Sequence, residues 1–233
     1  MLSKYQARRA RRRKLPTQPA DLPAKLFGKL PPLCIEEAFD PTLGTRFLVT
    51  AFLLALIGVL VASLGARDQV AVARFSRAAG APVDVLAIAI AVSFVSATIA
   101  GWASLLVAPI LGGNARLFLA ALALAFAAIE AWLFSPRAGP QEPTRSRGAL
   151  AIVLLSLQLA DAARFLVFGI ALAANHATLA AVGGALGGAI ALTLAWAEPE
   201  RFEGETLRRL RRGLGGLMLV LAFAIGLRTL SPG

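Results

Sequence analysis

Gln158, Asp161 and Arg164 recur at every third position of SLQLADAARF (156–165), and no other charged residue lies between Gly148 and His176. A carboxylate in such surroundings can exchange a cation or a proton, and a neighbouring guanidinium can neutralise it. Residues three apart share one helix face, so the three are expected to form a single polar stripe. Two readings stand: a structural or gating ion pair between Asp161 and Arg164, or a site for a solute or proton. A second polar set, Ser63, Arg67, Asp68 and Gln69, closes an earlier apolar run in SLGARDQ (63–69). No nucleophile–base set, phosphate loop or Cys/His metal cluster accompanies them, which argues against an enzyme and implies no cofactor. The single Cys34 excludes an internal disulfide.

The weight of these charges depends on the solvent the chain sees. Hydrophobic residues make up 58% of the 233, charged residues only 16%, and the mean hydropathy is +0.71. Soluble domains carry about 25% charged residues. Apolar blocks at 46–66, 83–112, 115–135, 149–174, 177–197 and 213–230 each approach the roughly 20 residues that cross a bilayer as helix. They are apolar on most sides, unlike the one-sided helices of a soluble bundle. Backbone groups in lipid must be satisfied within the segment, so helices follow. The expected fold is all-α, polytopic, with six transmembrane helices. The first block is full length, and residues 1–45 hold no signal-peptide core.

Residues 1–45 differ in kind. MLSKYQARRARRRK carries seven Lys or Arg and no acid, and a Pro-rich stretch follows. Such a segment buries too little apolar surface to fold alone and is expected to be disordered. Arg8, Arg9, Arg11, Arg12 and Arg13 could engage anionic lipid, at about 1 kcal/mol each, or a protein partner. A topology signal or a solvated tail is the plainer reading, and the lack of interleaved aromatic residues argues against nucleic acid. The arm and the loops disagree on orientation. The arm holds ten Lys and Arg through Arg46, which assigns its side to the cytoplasm. Loops one, three and five hold eleven (Arg67, Arg74, Arg77; Arg137, Arg145, Arg147; Arg201, Arg208, Arg209, Arg211, Arg212), against Arg116 alone in loops two and four, which assigns the opposite side.

A polar linker, 136–148, divides the spans into repeats at 46–135 and 149–233. ARLFLAALALAFAAIEAWLF (115–134) resembles LRRGLGGLMLVLAFAIGLRTL (210–230), and SLGARDQVAVARF (63–75) resembles QLADAARFLVFGI (158–170). Three spans per repeat makes the halves inverted, an architecture of transporters whose sites lie at the repeat interface.

From 46 to 231 this pattern resembles the Gdt family of cation/proton exchangers, which handle manganese and calcium. That family carries a Glu-x-Gly-Asp-Lys signature in the first span of each repeat. Ser63 to Gln69 stands where the first signature belongs and Gln158 to Arg164 where the second does. The resemblance implies two inverted three-helix repeats, antiport by alternating access, a bacterial inner-membrane location, and an ion site drawn from Ser63, Asp68, Gln69, Gln158, Asp161 and Arg164. Asp161 would be its metal-binding residue. The signatures have departed from the family: Ser63 and Gln158 replace the glutamates, Ala66 the first aspartate, and Asp161 alone keeps its place. Asp68 and Asp161 then balance Arg67 and Arg164, which weakens affinity for a dication. The alternative is a transport-inactive homologue that serves as a membrane scaffold or subunit.

Weaker candidates surround these. Glu130 could partner Arg164 or Arg116, or reach the interface along its stem. GGALGG (183–188) offers two Gly-xxx-Gly spacings, which favour close helix packing over solute contact. Pro109 and Gly101 could break the second span, Ser93 and Asn114 could line a site, and His176 lies in a short loop.

Overall fold

The computed structural model describes residues 41–133, 146–203 and 205–230. The chain divides into Met1–Thr42 and Leu43–Gly233, and the helical body is the second. The basic arm through residue 40, Cys34 and most of the central linker lie outside the described residues. Every regular element among the described residues is helical. They are α1 (Pro41–Ala62), α2 (Arg67–Ala79), α3 (Val83–Val107), α4 (Gly113–Leu133), α5 (Arg147–Leu159), α6 (Ala162–Ala174), α7 (Ala177–Ala197) and α8 (Glu205–Leu230). Short 3-10 turns at Ala108–Ile110 and Pro199–Glu203 follow α3 and α7.

Among the described residues four helices are long and apolar enough to cross a membrane, and up to six spans result if each bent pair counts as one. α3, with 25 residues, is about 37 Å long at 1.5 Å per residue. α5 and α6 have 13 residues each, about 20 Å, too short to cross singly. The expected continuous span 149–174 is therefore corrected: it bends by 55° between Leu159 and Ala162. The first span ends at Ala62, and residues expected in a loop form α2, inclined at 62° to α1. Helix α1 also begins at Pro41, inside the stretch expected to be a disordered arm.

The breaks have local causes. Gly65 takes φ +70°, a left-handed conformation that costs a residue with a Cβ about 1–2 kcal/mol. At the second break Asp161 is extended and caps α6, its Oδ2 accepting from Ala163 N at 3.4 Å. That cap replaces an i−4 helix bond and lets the chain turn. Gly80 (φ 74°) ends α2, and Asn175 (φ 56°) ends α6. Pro109 closes α3 in its 3-10 turn, whereas α3 runs unbroken through Gly101.

Small residues bring the helices close. Backbone carbonyls of Phe52 and Leu56 on α1 stand where side chains at Gly183 and Gly187 would be, and Ala177 O stands 3.1 Å from the place of a Gly101 Cβ. With lipid tails as apolar as leucine, such backbone approach is what holds membrane helices together. α3 packs on α7, α4 on α8 and on α6, and α3 on both α5 and α6. Long apolar side chains face outward, including Trp102, Ile110, Val220 and Phe223.

Two contacts order the helix ends. Arg147, opening α5, pairs with Asp84 at the start of α3. Arg116 of α4 donates to Asn175 Oδ1 at the end of α6, 3.1 Å away. The starts of α3 and α5 thus share one end of the bundle, and the start of α4 and end of α6 share the other.

Candidate functional site

The interior turns polar where the two breaks meet. Arg67, opening α2, donates from Nη2 to Ala160 O at 3.2 Å, across from the residue that ends α5. It also pairs with Glu130 of α4 at 3.1 Å. Arg211 of α8 reaches the same carboxylate at 2.6 Å and Asp161 Oδ1 at 3.4 Å. Glu130 Oε2 further accepts from Ala162 N at 3.3 Å, in the first turn of α6. Five elements thus converge on one ionic knot. Asp161, Glu130 and Arg211 are all buried, and Arg67 is the partly exposed member.

A second cluster continues inward along α6. Arg164 Nη2 donates to Ser93 Oγ at 3.1 Å and to Gln158 Oε1 at 3.2 Å. Ser96 Oγ also meets Gln158 Oε1, at 2.8 Å. Ser93 Oγ bonds to Ala185 O of α7 at 3.3 Å. Gly188 leaves room for the guanidinium, since a Cβ there would lie 3.2 Å from Arg164 Nη2. Burial makes these bonds costly to lose: an unsatisfied donor away from water costs about 1–3 kcal/mol.

The geometry corrects the expected pair. Asp161 bonds to Arg211, and no ion pair within 4 Å joins it to Arg164. The break between Gln158 and Asp161 removes the continuous helix on which a three-residue stripe depended. Gln158 and Arg164 do meet, through the bend rather than along one face. Asp68 is buried and its Oδ1 accepts from Gln69 N at 2.7 Å. Gln69 spans outward, its Oε1 accepting from Gly65 N at 2.7 Å and its Nε2 donating to Ala191 O at 2.8 Å. Its side chain therefore braces the first break against α7. Ser63 is buried just beyond α1.

Glu130 partners Arg67 and Arg211, neither of the arginines expected for it, and is buried at 5% exposure. Arg211 was counted among loop charges, yet it is 3% exposed. Arg211, Gly215 and Ala222 form the buried stripe of α8, while Arg208, Arg209 and Arg212 are exposed, a difference that the run LRRLRR does not carry by itself. Asn114 is exposed at the start of α4, and His176 precedes α7 without a side-chain cap.

Three carboxylates, Asp68, Glu130 and Asp161, are thus enclosed with three guanidiniums, Arg67, Arg164 and Arg211. Hard divalent cations need several oxygen ligands that no competing cation holds. Asp161 offers one oxygen to Arg211 and the other to its helix cap. Among the described residues no group of three or more His, Cys, Asp or Glu is arranged to hold a metal ion. The arrangement suits charge-neutral burial, proton movement and hydrogen bonding to a solute.

Comparison of the chain with protein-family models, with curated proteins and with solved structures finds no match in any of the three.

Proposed function

We propose that the chain is an integral membrane protein that moves a small ion or solute by alternating access. Its halves are inverted three-helix repeats, and the charged cluster between the two breaks is the site on which they close. The observation that carries this reading is the meeting of the breaks themselves, Arg67 Nη2 against Ala160 O. Broken spans that meet inside a bundle place backbone ends and ionisable groups away from lipid, as transporter sites require.

The pairing of elements agrees with the repeat. The helix caps Ala66 and Asp161 lie 95 residues apart, as do Arg116 and Arg211 near the starts of α4 and α8. Second spans pack on each other as α3 on α7, and third spans as α4 on α8. The contact of α3 with α5 has its counterpart in α7 against α1, at Gly183 and Gly187. The Gdt resemblance and an inner-membrane setting are part of the same proposal and rest on the sequence pattern over residues 46–231. The balance of three acids by three arginines departs from a dication exchanger and favours proton movement or a solute of low net charge.

A transport-inactive scaffold is the second reading, favoured by the occupation of both Glu130 and Asp161 by arginine. Reconstitution of the full chain in vesicles holding a pH-sensitive dye separates the two. Gradients of Mn2+, Ca2+, Na+ and Cl− would be imposed in turn. Transport requires a pH or ion flux above that of empty vesicles in at least one gradient, lost in Asp161→Asn with the protein still monodisperse. No flux in any gradient overturns proton-coupled ion transport and favours the scaffold.

A further inference from the structure

The bundle has a lateral opening that the ionic knot does not use. Between α3, α4 and α6 lies a cavity of about 340 Å³. Ile99, Ala103, Leu122, Phe126 and Phe168 are among its walls, and Arg164 is its single charged lining residue. Ile99, Leu122 and Phe126 are also among the exposed large hydrophobic residues, so the cavity opens laterally, on the apolar outer face. A volume of this size with apolar walls and a few polar groups is the usual form of a small-molecule site.

Arg164 is 4% exposed and incompletely bonded. Its Nη2 is held by Ser93 and Gln158, while Nε and Nη1 have no hydrogen-bond partner. Gln158, fully buried, leaves its Nε2 without one as well. The unmet groups on this cluster are all donors. Asp68 and Asp161 oppose the charge of Arg164 from a distance, but neither forms an ion pair with it. Nη2 is spent on Ser93 and Gln158, and Nε and Nη1 lie on different edges of the guanidinium, so each offers a carboxylate a single charge-assisted N–H bond and not a paired fork.

We propose that this cavity binds an amphipathic carboxylate, a hydrocarbon chain ending in a carboxylate. The head group accepts from Arg164, and the chain lies between Phe126, Phe168 and Leu122 and enters from the lipid side. The apolar walls pack against the chain, which exchanges one apolar surround for another, and the buried arginine selects the charge. The inference shares Arg164 with the functional reading above and does not depend on transport.

The test is calorimetric titration of the full chain in lipid nanodiscs, corrected by empty discs, with dodecanoate, dodecanol and dodecylammonium as probes. Saturable one-to-one binding of dodecanoate is expected, at least tenfold tighter than either of the other two. Arg164→Gln should weaken dodecanoate at least tenfold. Ala103→Phe, which fills the cavity and keeps the arginine, should do the same, so the outcome does not hinge on the folding of one variant. Arg228→Gln on the exposed end of α8 should bind as the parent does. Equal binding of dodecanol, no saturable binding, or undiminished affinity in both cavity variants would overturn the proposal. Because the readout is binding, a failure here leaves ion flux untouched, and a failure of flux leaves this site standing.

Discussion

Arg211 Nη2 lies 2.6 Å from Glu130 and 3.4 Å from Asp161, joining α8 to α4 and to the second helix break. The three residues come from α8, α4 and the break before α6, and each would strand a charge without the others. Breaking one side of a buried pair typically costs about 3–5 kcal/mol, whereas replacing both sides with apolar groups can be close to neutral. Arg211→Leu should therefore lower thermal stability in detergent by about that amount. Glu130→Leu in the same chain should recover part of it, leaving Arg67 to carry the remainder. Strictly additive losses from Arg211→Leu and Glu130→Leu would show that the pair does not hold the fold.

The relation between Asp161 and Arg164 provides a control. They lie three residues apart but bond to different partners, so a double-mutant cycle between Asp161→Asn and Arg164→Gln should give a weaker coupling than Asp161→Asn with Arg211→Gln. Residues in one network couple by about 0.5–3 kcal/mol. A stronger coupling for the nearer pair in sequence would contradict the geometry.

Orientation follows from the helix ends. Asp84 and Arg147 share one end of the bundle, and Arg116 shares the other with Asn175. On the excess of arginine in the odd-numbered loops, the first end is predicted to be cytoplasmic, against the count in the arm. Cysteines introduced at Asp84 and Ser146 should both resist an impermeant thiol reagent in intact cells, while Asn114→Cys should react. Labelling of Asp84→Cys and Ser146→Cys with protection of Asn114→Cys would reverse the orientation in favour of the arm.

Gly187 sets how closely α7 approaches α1. A Cβ there would meet the carbonyl of Leu56, a backbone group that cannot swing aside. Overpacking costs about 1–3 kcal/mol where neighbours can shift. Gly187→Val should exceed that range, visible as a fall in the monodisperse fraction on gel filtration. Gly216→Ala, where nothing stands within 4 Å, should leave it unchanged.

Gly65 tests the first break. Its positive φ admits glycine readily, and an added Cβ would also lie 3.2 Å from Leu207 Cγ. Gly65→Val should cost about 1–2 kcal/mol from the backbone conformation, measured as a lower unfolding temperature. An unchanged temperature would mean that the break does not depend on this residue.

Helical structure and the bounds of an unbroken span were determined by the sequence alone, because they follow from local chemistry, whereas the two bent spans were not. A run such as ATLAAVGGALGGAIALTLAWA has one way to satisfy its backbone in lipid, and its ends at Ala177 and Ala197 agree with the expected span. That Gln158, Asp161 and Arg164 would be buried followed likewise, since charge in such segments turns inward, whereas Asp68 and Gln69 are buried beyond the expected end of the first span, where a loop was expected. The partner of each charge was decided only by the tertiary structure. A helix stripe predicts which residues share a face, but Asp161 caps a new helix, and the bend turns the stripe into two clusters. Arg211 then arrives from α8 at a position that sequence neighbours present as one more loop arginine. Electrostatic pairing acts over a few ångströms of space, and the chain brings residues 50 and 81 positions away within that reach of Arg211 only after its helices have broken and packed.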